Sequence, residues 1–221
     1  PLQYRFRHVD RIPPAPGPER DIGIAVHSAL EAHYRPEGGG GDGERLVQRV
    51  EQELERRGVT GTPEGRQALR RAREQLPAYH DRHGRRGEKV AVVEWDFTLS
   101  LGAHRVRGRV DRIDKYPDGY QLVDYKTGAP PKAPGGGEGL PLTLYAAGLL
   151  ETHNRLARGG SLHYVLDGEA RPVDTEAPEV DAAREEAAVA ADGMAAGDFD
   201  PTPGWHCRSC DFALLCPEQD R

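Results

Sequence analysis

From Lys89 to Lys126 apolar and polar residues alternate, and this period-two stretch constrains the fold more than any other feature of the chain. Its segments VAVVEWDFTLSL, HRVRGRVDRIDKY and GYQLVDYK are separated by the turn-forming residues Leu101-Gly102 and Pro117-Asp118-Gly119. Turns that short join antiparallel neighbours, so the stretch predicts a three-strand meander. Elsewhere the spacing is helical. Ile22, Val26, Ala29, Leu30 and His33 share one face of DIGIAVHSALEAHY, and LPLTLYAAGLLETH and the Ala/Glu-rich segment from Pro178 to Ala196 also predict helices. The charge-rich segments Asp42 to Arg57 and Pro63 to His83 predict two surface helices, the second started by Thr62-Pro63. A further strand is expected at Ser161 to Leu166, with glycine-rich loops at Gly38 to Gly41 and Gly128 to Gly139. These elements add up to an α/β chain with a central mixed sheet flanked by helices.

A chain of 221 residues with 37% hydrophobic content holds one domain with its own core. Within it we expect an N-terminal segment (1–20), a helical region (21–88), the sheet with its helix (89–170) and a C-terminal helix with a cysteine tail (171–221). The chain opens on Pro1 and reads as a fragment of a larger protein. It has no apolar run of membrane-spanning length and no cleavable signal, which predicts a cytoplasmic location, nucleoid-associated if bacterial. A formal charge of −6 excludes binding to nucleic acid by bulk positive charge, so such contact needs a local patch or a metal. Only four of the 30 basic residues are lysine, which gives weight to a lysine inside a motif.

The chemistry concentrates in GRVDRIDKYPDGYQLVDYKTG. Asp111 and Asp124 lie on consecutive strands joined by a tight hairpin, so their carboxylates can converge at one sheet edge. Lys126, two residues beyond Asp124, shares its face. Two carboxylates and a nearby carbonyl suit a hard divalent cation such as Mg²⁺ or Mn²⁺. A lysine beside that ion can orient or deprotonate a water and stabilise charge on a phosphoryl transition state. The set suits phosphodiester hydrolysis. Two aspartates and a lysine also serve as plain surface ion pairs, so the surrounding residues decide between the readings.

The whole string, G-x-x-D-R-I-D, a hairpin and D-Y-K-T-G, resembles the RecB-like nucleases. These are a branch of the PD-(D/E)XK superfamily found in helicase–nuclease repair proteins and CRISPR adaptation nucleases. The resemblance implies a restriction-endonuclease-like sheet flanked by helices. Gly23 to His27 is similar to that family's G-x-x-[VI]-H helix element. By resemblance, His27, Asp111 and Asp124 bind the metal together with the Tyr125 backbone carbonyl, and Asp111, Asp124 and Lys126 form the catalytic set. Asp114 faces the other side of its strand and is structural. Glu94, on the preceding strand, is a candidate accessory carboxylate that also reads as an ordinary salt-bridged charge. Tyr145 matches the tyrosine of the family's Q-x-x-x-Y element and is a candidate accessory or core residue, while Pro141 stands where the glutamine would be.

Cys207-x-x-Cys210-x₅-Cys216 brings three thiolates close enough in sequence to face one ion or cluster. The resemblance extends to relatives in which one N-terminal and three C-terminal cysteines of this spacing hold a 4Fe-4S cluster, ahead of a proline like Pro217. The opening PLQYRFRHVDRIP is similar to the stretch that follows their N-terminal cysteine, so a fourth ligand is expected just before Pro1. Zinc, completed by His206, is the alternative.

The helix carrying Arg66, Arg70 and Arg73 is the densest positive region, with Arg82, Arg85 and Arg86 beyond it, and is a candidate DNA-binding face. It also reads as a solvated helix face. The function implied is that of a metal-dependent DNA nuclease, an exonuclease acting on ends or single strands. It would be a module of a DNA repair helicase–nuclease, with helicase domains in the same chain or complex. The alternative is a non-catalytic DNA-binding or cluster-stabilised structural module on the same fold.

Overall fold

The computed structural model describes residues 1–14, 17–35, 37, 39–83, 89–132, 137–204, 207, 210 and 211–218. Arg85, Arg86 and His206 lie outside them, as do parts of both glycine-rich loops. The elements are α1 (Leu2–Tyr4), a π-helical turn (Arg5–Val9), α2 (Pro18–Tyr34), α3 (Gly43–Arg56), α4 (Pro63–His83), β1 (Lys89–Leu101), β2 (His104–Tyr116), β3 (Gly119–Lys126), α5 (Leu140–His153), β4 (Ala157–Tyr164), β5 (Glu169–Val173) and α6 (Ala177–Ala196). The chain clusters into two compact units, one of residues Pro18–Glu185, the other of Pro1–Gly17 with Glu186–Arg221.

The larger unit is built on one mixed sheet of order β1-β2-β3-β4-β5. β1, β2 and β3 form the expected antiparallel meander, with Gly102 and Gly119 at positive φ in its two turns. α5 then carries the chain across so that β4 lies parallel to β3. β5 was not signalled in the sequence. EARPV is short, mostly exposed and contains Pro172, the composition of an edge strand rather than of an alternating one.

Both sheet faces are covered by helices. α3 and α4 are capped as their sequences predict: Asp42 accepts from the Arg45 N–H at 2.9 Å, and Thr62 Oγ1 from the Gly65 N–H at 2.9 Å, ahead of Pro63 at the first helical position. They are not polar surface rods, however. Leu46, Val50 and Leu54 of α3 and Ala72, Leu76 and Tyr79 of α4 join Val26 and Leu30 of α2 in a core that closes over Val123 and Tyr125 of β3. Their charge hid a strong apolar stripe. α5 covers the opposite face, packing across β1 to β4. Its close approach depends on Phe97 wedged between two glycines: a Cβ on Gly108 would meet the ring at 2.5 Å, and one on Gly148 at 2.3 Å.

Under the three-helix layer runs a buried polar band. Arg112, fully buried, donates to both Asp114 oxygens at 2.6 Å and to the His83 carbonyl at 3.0 Å, and its guanidinium lies 4.3 Å above the Tyr34 ring. Asp114 thus has the structural place expected of it. His33 Nε2 meets His80 Nδ1 at 3.1 Å, and the Tyr79 hydroxyl meets His163 Nδ1 at 2.8 Å. Burial, with His80 beside it, holds His33 down to about 4. Burial, with His83 beside it, holds His163 down to about 3. Both rings stay neutral in the folded chain where an unfolded histidine, at about 6.5, already takes a proton. Their contribution to stability is therefore present above pH 6.5 and is lost as pH falls toward 4 and 3. We expect the unfolding free energy to drop by roughly 2–5 kcal/mol between pH 6.5 and 4. Denaturant titrations across that range check this; a flat profile would contradict it.

In the smaller unit the two chain ends meet. Arg7 pairs with Asp211 at 2.8 Å, and the Phe6 and Phe212 rings lie 5.7 Å apart beside the cysteine tail. Among the described residues no helix is long and apolar enough to cross a membrane.

Candidate active site

The β2–β3 ladder ends at the pair Arg112–Val123. Beyond that point the strands splay, and the Tyr125 N–H, lacking a ladder partner on that side, donates instead to Asp111 Oδ2 at 2.7 Å. The contact pins the Asp111 carboxylate and leaves Oδ1 directed at His27 Nδ1, 3.5 Å away on α2. Val123 and Tyr125 enter the helical core, so period two puts Asp124 and Lys126 on the other face of β3. There Lys126 Nζ lies 2.7 Å from Asp124 Oδ2.

Glu94 completes the cluster through a backbone feature that the alternation does not show. Val93 packs on the three-helix core, whereas the Trp95 ring lies against His153 of α5. Residues i and i+2 of a regular strand share a face. Here they do not, and Glu94 absorbs the switch at φ +51°, a left-handed value that costs a residue with a Cβ about 1–2 kcal/mol. Set between the pairs Val93–Arg112 and Trp95–Val110, it faces Asp111. One donor atom each from His27, Glu94 and Asp111 all lie within 4.8 Å of one another, which fits a single divalent ion. The Glu94 carboxylate also meets Arg109 at 3.3 Å.

Burial raises the Asp124 pKa, with Lys126 opposing and Asp111 reinforcing. Burial and Asp111 likewise raise Glu94. For His27, burial works against the imidazolium, but the hydrogen bond and charge of Asp111, backed by Asp124 and Glu94, outweigh it and raise the pKa. Three carboxylates gathered with His27, Lys126 and Arg109, each perturbing its neighbours, suit a metal site. Tyr145 sits on α5 with its ring edge-on to Phe97 at 5.6 Å. Burial first, then the fields of Asp124, Asp111 and Glu94, push its phenol up. It faces the same centre even though Pro141 replaces the glutamine.

The other expected residues lie elsewhere. Arg66 donates to the Gly61 carbonyl and Arg73 pairs with Glu51 at 2.8 Å, so these two helix charges are engaged within the protein, while Arg70 is exposed. Cys207, Cys210 and Cys216 are free thiols around a short 3₁₀ turn, Ala213–Leu215, with the Cys210 N–H donating to the Cys207 carbonyl at 3.3 Å. Glu94, expected as an accessory carboxylate or a salt-bridged charge, has both a place in the cluster and the Arg109 contact. The slip in apolar phase from Val92 to Val93 follows the register shift between Val90 and Val92, whereas Val93 and Trp95 on either side of Glu94 stay in phase, so the alternation does not signal its reversal.

A sequence profile of the PD-(D/E)XK nuclease superfamily matches residues 1–217. Among solved structures, the crystal structure of SSO0001 is similar at 19% identity and a TM-score of 0.47, covering 92% of this chain and 97% of that one. No curated protein matches the chain in sequence.

Proposed function

The chain belongs to the PD-(D/E)XK nuclease superfamily, and from that premise we propose that it is a Mg²⁺- or Mn²⁺-dependent deoxyribonuclease of the RecB-like branch. The observation that carries the reading is the convergence of His27, Glu94 and Asp111 beside the Asp124–Lys126 pair. His27, Glu94 and Asp111 would hold the ion, with Asp124 and the Tyr125 carbonyl completing the set that the resemblance implies. When bound, it supplies Lewis acidity at a phosphoryl oxygen and lowers the pKa of a water.

The chain's own groups account for the rest. Asp111 is oriented by the Tyr125 N–H, so no side-chain rotation is needed to present Oδ1. Lys126, about one-third exposed, keeps its ammonium against Asp124 and can hold a water in line or meet charge developing on the phosphate. We further propose that Cys207, Cys210 and Cys216 bind an iron–sulfur cluster, with zinc as the alternative. The support is their spacing and their place beside the Phe6–Phe212 contact, where the chain ends are held together. An exonucleolytic role beside helicase domains in DNA repair belongs to the same reading.

The test is cleavage of end-labelled single- and double-stranded DNA with Mg²⁺ or Mn²⁺. Full loss on adding EDTA is expected; EDTA-insensitive cleavage would sink the assignment. Calorimetric titration with Mn²⁺ checks the ligands separately. His27→Ala is expected to weaken binding about 10–100-fold. Glu94→Gly should weaken it comparably without lowering the stability of the metal-free protein, because glycine takes φ +51° at no steric cost. Since the ion displaces a proton from His27, affinity should fall as pH drops through its raised pKa. Unchanged affinity in both variants would return these residues to a structural role.

A further inference from the structure

β2 carries Arg105, Arg107 and Arg109 at every second position, all exposed, and Asp111 lies two residues further along the strand. Opposite them on β1 stand Ser100, Thr98 and Asp96, also exposed. Phe97, Leu99 and Leu101 are buried on the other face. The outer half of the β1–β2 ribbon therefore shows one exposed face of guanidinium and hydroxyl groups, with the Asp96 carboxylate beside Arg109. Among the described residues, Arg105 and Arg107 have neither hydrogen-bond nor ion-pair partners. Other described arginines, such as Arg71 and Arg73, are paired with carboxylates. Like charges along one strand repel, and among the described residues only the carboxylates beside Arg109 offset the repulsion here. Arg109 links the row to the centre: it holds Asp96 at 2.7 Å and Glu94 at 3.3 Å.

We propose that this row is the path of a single nucleic-acid strand into the metal centre, an inference that rests on the nuclease reading above. Each guanidinium can hold one phosphate through a pair of N–H donors. The i to i+2 repeat is about 6.6 Å, close to the step between successive phosphates of an extended strand. Phosphates on Arg105, Arg107 and Arg109 therefore lead toward the metal centre, which Arg109 reaches through its contact with Glu94 at 3.3 Å. A straight row along one β-strand suits one extended backbone, whereas each backbone of a duplex winds around its axis. The α4 arginines, partly engaged within the protein, are not needed for this path.

The test uses the full chain in a Lys126→Ala background, with Mn²⁺ and a fluorescein-labelled 20-nucleotide oligothymidylate followed by anisotropy. Arg105→Ala/Arg107→Ala is expected to weaken binding at least tenfold and to lower the slope of log K against log salt by about 1.4, at roughly 0.7 per phosphate of a single strand. Arg105→Lys/Arg107→Lys should restore most of both, since the charge returns. In the Lys126 background protein the labelled duplex should bind more weakly than the single strand. With Lys126 intact, the double alanine variant should still hydrolyse bis(p-nitrophenyl) phosphate, which is too small to reach the row, and should bind Mn²⁺ as the parent does. Unchanged oligothymidylate affinity and slope in the double alanine variant would overturn the path while leaving the nuclease standing. A parent protein that neither binds Mn²⁺ nor cleaves DNA would overturn both.

Discussion

Replacing Lys126 with alanine is expected to lower the rate of DNA cleavage by on the order of 10³-fold while leaving Mn²⁺ affinity within a few-fold of its starting value. The two readouts separate because Lys126 is a neighbour of the ligands and not one of them. Its ammonium lies 2.7 Å from Asp124, and removing it withdraws a charge from the reacting phosphate without removing a donor atom from the ion. Asp111→Ala should differ. That carboxylate presents Oδ1 to the metal cluster and accepts the Tyr125 N–H through Oδ2, so both Mn²⁺ binding and cleavage should be lost together. Single-turnover assays at saturating metal, paired with calorimetry, distinguish the two variants. A Lys126→Ala enzyme that keeps more than a tenth of its activity would remove the lysine from the chemistry.

The largest effect on stability is expected at Arg112. Truncation to alanine should cost roughly 3–5 kcal/mol, because it leaves the Asp114 carboxylate buried with no counter-charge. The same change strips the His83 carbonyl of its donor and removes the cation from the Tyr34 ring. Joint replacement by Arg112→Met and Asp114→Leu should be far milder, since an apolar pair of similar volume leaves no stranded charge. Arg109→Ala supplies the contrast. Its ion pairs with Asp96 and Glu94 lie on the open ribbon, where solvent screens them, so its loss should leave the urea midpoint almost unchanged. Urea midpoints of the three proteins measure the differences, and an Arg112→Ala loss below about 1 kcal/mol would contradict the account.

Much of this protein can be read from local sequence. Alternation and turn residues set β1 to β3 nearly to the residue, and Thr62-Pro63 marks the start of α4. Both signals act within a few positions, where the backbone's own preferences decide. The spacing of Asp111, Asp124 and Lys126 likewise follows from a hairpin and from period two, so their nearness was visible before any packing was known. α3 and α4 were harder: high charge masked the stripe that buries Leu46, Val50, Ala72 and Leu76.

What the chain could not show by itself depends on strands and helices that meet across long separations. Glu94 joins His27 and Asp111 only because a left-handed residue reverses the face of β1 where β2 carries its aspartate. Period-two reasoning assumes that such a reversal does not occur. The arginine row has the same origin. Arg105, Arg107 and Arg109 look like scattered charges until the ribbon extends past the helical layer and leaves their face exposed, leading to Glu94 through Arg109. Sequence spacing determines which side chains share a face. Only tertiary packing decides which face is covered and which stays open to a ligand, because that depends on where the neighbouring helices end.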